Sequence, residues 1–121
     1  MIHTLKLGGE TRSVLFGNLA FKKLKEETGN TLGMIGAAMT EQDITIIPVC
    51  LYYALRAAER YEKKTPGEYD ADDVAMWMDA EGGVAAKVIP WILEAITDMT
   101  GEAVEEDKKK KVKKETLTGL K

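Results

Sequence analysis

The side chains that most often carry out catalysis are scarce in this chain. Of its 121 residues, one is histidine (His3), one is cysteine (Cys50) and one is serine (Ser13). A zinc site built from histidine and cysteine would lack ligands. A Ser-His-Asp triad would have to use Ser13 and His3, which fall on opposite faces of a predicted hairpin. We therefore expect no catalytic residue, no metal and no cofactor, and we predict that the protein is not an enzyme.

Acidic residues cluster between positions 70 and 81, and clustered carboxylates can bind calcium or magnesium. The cluster consists of Asp70, Asp72, Asp73, Asp79 and Glu81. Their spacing departs from that of an EF-hand loop, and a helix-forming pattern follows at once, so helix capping is the favoured interpretation. The pairs at 8–9 and 82–83 are both Gly-Gly, but neither lies in a phosphate-binding motif. We interpret them as turn and cap glycines.

Two further features could carry chemistry or binding. Cys50 lies inside an apolar run, which is typical of a small buried hydrophobic residue in a reducing compartment. A basic run consists of Lys108, Lys109, Lys110 and Lys111. Three acidic residues precede this run and no aromatic residue interrupts it, so a solvated tail is favoured over a nucleic-acid contact.

Residues 1–16 predict a β-hairpin that could hold its apolar side chains against a core. Polar and apolar residues alternate around Gly8-Gly9, which favours a two-residue turn. If Leu7 pairs with Glu10, Arg12 lies opposite Leu5. The predicted inward face consists of Met1, His3, Leu5, Leu7, Val14 and Phe16. Ile2 and Leu15 fall on the other face, which leaves the register open.

Four or five helices are predicted after the hairpin. The segments span residues 17–29, 31–39, 45–63, 70–83 and 84–99. The second segment has a loop as its alternative, because Gly33 and Gly36 each cost a helix about 1 kcal/mol relative to alanine. In the last segment, Pro90 is expected to kink or split the helix near Ile89.

The segment 45–63 has the strongest helical periodicity and predicts the central helix. Thr45 is expected to cap it, which would place Pro48 at the third helical position, where no intrahelical bond is lost. Its predicted buried stripe consists of Ile47, Leu51, Ala54, Ala58 and Tyr61. In the next helix, Asp70 is the expected cap and the buried stripe consists of Val74, Trp77 and Met78.

The composition changes after residue 101. Residues 102–121 contain seven Lys and five acidic residues and so carry a net charge of +2. Because the whole chain carries −3, residues 1–101 carry −5. Such a stretch buries too little apolar surface to offset its ordering entropy. We predict a single α+β, mostly helical domain over 1–101, with the hairpin packed on the helices, and a disordered charged tail over 102–121. No apolar stretch reaches the roughly 18 residues of a membrane span, and no signal peptide is evident, so we expect a cytoplasmic protein without a membrane partner.

The apolar surplus of the central helix and the aromatic residues favour protein binding over catalysis. The candidate partner-binding residues are Ile46, Tyr52, Tyr53, Trp77 and Trp91. Tyr and Trp are enriched at binding hot spots, although in a small domain each of them is more often a core residue. The surplus is compatible with a homo-oligomer or with a partner helix in a groove.

The order of these features resembles a known family. The hairpin IHTLKLGGETRSVLF leads directly into the helix GNLAFKKLKEETG, and a hydrophobic helix, an acid-capped helix and a closing helix follow. Over residues 1–100 this order is similar to the tail assembly chaperones of long-tailed, siphovirus-like phages and prophages. The closest local match is the Gly-Gly hairpin and the Phe21-x-x-Leu24 helix that ends in Glu27-Thr28-Gly29.

The resemblance implies a non-enzymatic protein that transiently coats the tape measure protein and helps recruit the tail tube protein. It would act in the bacterial cytoplasm and be absent from the mature virion. Such chaperones are often made in two lengths by a ribosomal frameshift, and the four Lys codons at 108–111 suit a slippery sequence. Two alternatives stay open: a structural head-tail connector or tail terminator, and a nucleic-acid-associated regulator that acts through the Lys-rich tail.

Overall fold

The fold consists of a β-hairpin and five helices, as a computed structural model of the chain describes for residues 2–101. The elements are β1 (Ile2–Leu7), β2 (Glu10–Leu15), α1 (Asn18–Thr28), α2 (Leu32–Thr40), α3 (Ile47–Tyr61), α4 (Ala71–Glu81) and α5 (Val84–Thr100), with a 3₁₀ turn at Ile44–Ile46. The predicted α+β, mostly helical class is confirmed. Met1, the predicted charged tail and its run at 108–111 lie outside the described residues.

The hairpin has the register that the Gly-Gly turn favours. Strands β1 and β2 are antiparallel, Leu7 pairs with Glu10, and Leu5 pairs with Arg12. Gly8 and Gly9 adopt φ values of 62° and 80°, which glycine tolerates and residues with a side chain rarely adopt. The inward face buries Leu5, Leu7, Val14 and Phe16. The hairpin therefore contributes one apolar face to the core, as a marginal two-stranded sheet must.

The helix ends follow the capping residues in most places. Gly29 ends α1 with φ 82°, and the Thr31 side chain accepts a hydrogen bond from the backbone N–H of Met34 at the start of α2. Asp70 and Asp73 form a reciprocal capping box at the start of α4. The second predicted segment is therefore a helix and not a loop.

The start of the central helix differs from the prediction. Thr45 does not cap it, because Asp43 accepts a hydrogen bond from the backbone N–H of Thr45 and initiates the 3₁₀ turn instead. Helix α3 begins at Ile47, so Pro48 occupies the second helical position. The Thr45 hydroxyl donates to the same Asp43 carboxylate at 2.6 Å, so it is held in the 3₁₀ turn and does not cap α3.

Two other expectations about the helices are wrong. Tyr61 was expected in the buried stripe of α3, but 68% of it is exposed, because it is the last residue of the helix and extends past its neighbours. Pro90 was expected to kink or split the last helix, and the split does not occur, because α5 continues through Pro90 from Val84 to Thr100. Pro90 and Ala86 are both exposed, so water can satisfy the Ala86 carbonyl that has lost its donor.

The core lies between the hairpin and the helices, and α3 is its centre. Helix α3 packs on β2, α1 and α4, whereas α2 packs on α5. The side chains of α3 that are buried in this core are Ile47, Cys50, Leu51, Ala54, Leu55, Ala57 and Ala58. The remaining faces of α3 carry its tyrosines and arginines, which are not fully buried in the core.

Candidate functional site

Arg56 lies at the centre of a network that ties α3 to the loop before α4. Its guanidinium donates to the backbone carbonyls of Gly67 at 2.7 Å and Tyr69 at 2.9 Å, and it pairs with the Glu59 carboxylate at 3.1 Å. The guanidinium also lies over the Tyr69 ring, 4.3 Å from its centroid, and its Nε donates to the Tyr52 hydroxyl at 3.3 Å. Arg56 thus supplies hydrogen-bond donors to backbone carbonyls of a loop that pairs with no strand or helix.

The carboxylate of Glu59 completes this network. One of its oxygens accepts from the Tyr69 hydroxyl at 2.7 Å and from the backbone N–H of Gly67 at 3.2 Å. Burial, and after it the hydrogen bond to Glu59, raises the pKa of Tyr69 well above its ordinary value. Burial lowers the pKa of Arg56, but the hydrogen bonds with Tyr52 and Glu59 outweigh it, so the net pKa is raised. Both groups therefore stay protonated at neutral pH.

A second arginine extends the network to the hairpin. Arg12 donates from Nε to the Leu7 carbonyl at 2.8 Å and stacks over the Trp77 ring at 4.3 Å. Trp77 in turn lies 5.2 Å from the Tyr69 ring. We name the whole set, Arg12, Tyr52, Arg56, Glu59, Tyr69 and Trp77, the arginine network. It joins β2, α3 and α4 through residues that are far apart in the sequence.

Two predicted partner-binding residues, Tyr52 and Trp77, thus lie in this network. Both are half-buried, and each contacts the Tyr69 ring within the chain, Tyr52 edge-on at 5.8 Å and Trp77 at a tilt of 54°. Sequence reasoning missed the other four members of the network: Arg12, Arg56, Glu59 and Tyr69. The spacing of Tyr52, Arg56 and Glu59 along one helix was the available indication, because residues three and four apart are neighbours on a helix.

Tyr53 lies on a different side of α3, where it lines a groove between α1 and α3. Its ring meets that of Tyr52 edge-on at 5.0 Å. Burial, together with the negative charge of Glu27 on α1, raises its pKa. The groove has a volume of about 740 Å³ and is lined mainly by cationic side chains. We name it the basic groove.

Trp91 lies apart from both of these regions. Its indole stacks on the His3 ring, with centroids 4.2 Å apart and planes 6° from parallel, and His3 Nε2 is 4.0 Å from the Glu94 carboxylate. Trp91 is half-buried and packs against the core. Its contact with the hairpin therefore anchors β1 on α5.

Ile46 lies at the corner where α2 meets the 3₁₀ turn. It is half-buried, and one large apolar residue on each of these two adjoining elements is open to solvent: Met34 on α2 is 56% exposed and Ile44 in the turn is 63% exposed. We name Met34, Ile44 and Ile46 the apolar corner. The five predicted partner-binding residues therefore do not form one surface, and they divide between the arginine network, the basic groove, the His3 stack and the apolar corner.

The residues with nucleophilic potential are not brought together. Cys50 is buried in the core, and burial raises the pKa of its thiol to about 12. Ser13 donates to Glu62 at 3.0 Å, on the face of the hairpin opposite to His3. The Cys50 thiol is thus protonated at neutral pH, and the Ser13 hydroxyl has an acidic partner but no imidazole beside it.

Within residues 2–101, no three His, Cys, Asp or Glu side chains are placed to share a metal ion. None of the helices in that range is both long enough and apolar enough to span a bilayer. Comparison with known proteins finds no family model that matches the chain, no similar curated protein and no similar solved structure. Its function must therefore be argued from its own surfaces.

Proposed function

We propose that this chain is a tail assembly chaperone of a long-tailed phage or prophage, which transiently coats the tape measure protein and helps recruit the tail tube protein. The proposal rests on the resemblance of residues 1–100 and on one structural observation, the apolar corner. Met34 and Ile44 are more than half exposed although the core of the domain is closed without them. Exposed apolar side chains grouped on adjoining elements are typical of protein-binding sites.

The mechanism is the masking of apolar surface. A very long helical partner exposes apolar stripes until it is assembled, and each buried Å² of such surface contributes roughly 25 cal/mol. Methionine suits this role because its flexible side chain repacks against different neighbours. Met76 on α4 is 68% exposed and offers a second contact of this kind. Individual contacts stay weak, which is what a chaperone that leaves the assembly requires.

Co-expression tests this function directly. The full chain is expressed together with the product of a tape-measure-length reading frame from the same genome, and the soluble yield of that product is measured. We expect the chain to raise the yield and to co-purify with the long protein. The double variant Met34→Glu, Ile44→Glu should lose both effects, because two charges on the apolar corner oppose apolar contact.

A matched control separates a lost surface from added charge. Thr11→Glu, Ala80→Glu adds two carboxylates at exposed positions on β2 and α4 and should behave as the unaltered chain does. The proposal is wrong if the unaltered chain neither co-purifies with the long protein nor raises its solubility. Recovery of the chain as a stoichiometric component of purified virions would instead identify a structural part of the particle.

A further inference from the structure

The basic groove is a concave site beside the arginine network, which contributes Arg56 and Glu59 to its lining. Helix α1 supplies Leu19, Lys22 and Lys23, and α3 supplies Tyr53, Ala57 and Arg60. The loop after α3 closes one end with Lys63, Lys64 and Pro66. The floor consists of the half-buried Leu19 and Tyr53 and the buried Ala57, and the cations are at the rim. The groove thus offers an apolar strip between two rows of positive charge.

The positive charge of the rim is only partly neutralised within the domain. Lys22 and Lys23 share one carboxylate, that of Glu26, at 2.6 Å and 3.8 Å. Arg60 and Lys63 form no ion pair with any other residue between positions 2 and 101. The acidic residue that lines the groove, Glu59, is already bonded to Arg56 and Tyr69.

Lys64 pairs with Glu62 at 3.2 Å, so the free cations of the rim are Arg60 and Lys63. They occur on a domain whose residues 1–101 carry a net charge of −5. The acidic surplus lies elsewhere, much of it on α4 and its N-terminal cap. At physiological salt, charges more than about 8 Å apart are largely screened, so a ligand in the groove is governed by the local cations and not by the net charge.

We propose that the basic groove binds an acidic amphipathic helix of a partner protein, with the apolar side chains of that helix on the floor and its carboxylates against Arg60 and Lys63. The proposal does not depend on the tail-assembly function. Two rows of charge that flank an apolar strip match a helix with one apolar stripe and acidic residues on both sides of it.

Two other occupants match the groove less well. A nucleic acid would pair its phosphates with the rim, but it would cover an apolar floor on which only Tyr53 can stack with a base. Helix α4 of a second copy presents the exposed residues Asp72, Met76 and Asp79 along one face. It therefore matches the charge of the rim but brings one large apolar side chain to a floor formed by three residues.

The test uses a fluorescein-labelled synthetic helical peptide in which Leu and Ala form one stripe and Glu flanks it. Its binding to the full chain is measured by fluorescence anisotropy as salt increases. The groove variant Arg60→Glu, Lys63→Glu is compared with Lys6→Glu, Lys87→Glu, which makes the same change of net charge at exposed sites on β1 and α5. We expect the groove variant to bind at least about tenfold more weakly and the control variant within about twofold of the unaltered chain.

Several outcomes would overturn the proposal. These are no binding by the unaltered chain, equal weakening in both variants, and equal binding of a peptide in which every Glu is replaced by Lys. Equal binding of single-stranded DNA at the same salt concentration would reassign the groove to a polyanion. Self-association in sedimentation velocity that the groove variant abolishes would reassign it to a second copy of the chain. Circular dichroism of each variant confirms that a loss of binding is not a loss of folding.

Discussion

Arg56 and Arg60 lie one turn apart on α3, and the structure places them in opposite situations. The Arg56 side chain is 28% exposed and is bonded to Glu59 and to two backbone carbonyls. Arg60 is exposed and forms no ion pair with the other residues of 2–101. The difference lies in what faces each arginine: the loop 62–70 folds over Arg56, whereas the groove beside α1 leaves Arg60 open.

The comparison shows that cationic charge on one helix can have two separate uses. In the arginine network the charge is satisfied inside the domain, so the network contributes to stability and has little left to offer a partner. In the basic groove the charge is unsatisfied, so it contributes little to stability and is available for binding. Substitutions in the two regions should therefore have different effects on stability and on binding.

The largest effect is expected from Arg56→Gln. It removes the ion pair to Glu59 and leaves the carbonyls of Gly67 and Tyr69 without their donors. Breaking a fully buried ion pair costs about 3 to 5 kcal/mol and breaking a surface pair costs less than about 1 kcal/mol, so this partly buried pair lies between them. Because the two carbonyls also lose their donors, we expect a total loss of about 3 kcal/mol in the free energy of unfolding. Arg60→Gln is the matched control and should change it by less than about 0.5 kcal/mol. Urea denaturation measures both, and equal losses would contradict the distinction.

The hairpin end of the network should be sensitive at Gly8. A Cβ at Gly8 would lie 2.7 Å from the Trp77 ring, and Gly8 also has a positive φ. Gly9 has a positive φ but open space around it. We expect Gly8→Ala to cost about 2 kcal/mol and Gly9→Ala about 1 kcal/mol, because only the first adds a steric clash to the backbone strain. If the two variants unfold at the same urea concentration, Trp77 does not pack against the turn as described.

Alkaline pH should destabilise the fold through Tyr69 in the arginine network and Cys50 in the core. Burial, and after it the hydrogen bond to Glu59, raises the pKa of Tyr69 in the folded state above its ordinary value of about 10. A group whose pKa is raised on folding contributes stability that is fully present below the unfolded pKa and is lost as pH rises above it. Burial raises the pKa of the Cys50 thiol from 9.0 to about 12, so this group also contributes stability that is lost as pH rises above 9.

The free energy of unfolding should therefore be flat from pH 7 to 9 and fall above that range. Between its unfolded and its folded pKa, each group lowers the free energy of unfolding by at most about 1.4 kcal/mol per pH unit. Tyr69→Phe should reduce the slope above pH 10, and Cys50→Ala should reduce it from pH 9. If Tyr69→Phe leaves the slope unchanged, the hydroxyl does not titrate from within the network.

Local sequence signals predicted most of the fold. The Gly-Gly turn and the alternation beside it predicted both the hairpin and its register, since a two-residue loop leaves few ways to pair Leu7 with Glu10. Gly29, Thr31 and Asp70 marked helix ends correctly because capping depends on a few neighbouring atoms. Thr45 failed because Asp43, equally able to cap, stands two residues earlier. Tyr61 failed because periodicity identifies a face of a helix but not how far its neighbours extend.

The candidate surfaces were much less predictable than the fold. Tyr52 and Trp77 were identified by residue type, but their contact through Tyr69 depends on how the loop before α4 returns to α3. The basic groove combines Lys22 and Lys23 with Arg60 and Lys63, residues about forty positions apart whose proximity requires α1 to pack on α3. A single sequence reports each of these charges but not which of them share a surface, nor which are already paired.

A single NMR spectrum tests most directly whether Arg12 and Arg56 are satisfied inside the domain while Arg60 is free. The chain contains three arginines, Arg12, Arg56 and Arg60, so a ¹⁵N NMR spectrum of the arginine Nε–Hε groups has three signals. Substitution of each arginine by lysine assigns the signals. The Nε–H protons of Arg12 and Arg56 should exchange slowly with water and have distinct chemical shifts, because they donate to the Leu7 carbonyl and the Tyr52 hydroxyl. The signal of Arg60 should exchange rapidly and lie at the shift of a free arginine. Equal protection of Arg60 and Arg56, or rapid exchange of Arg56, would contradict the account.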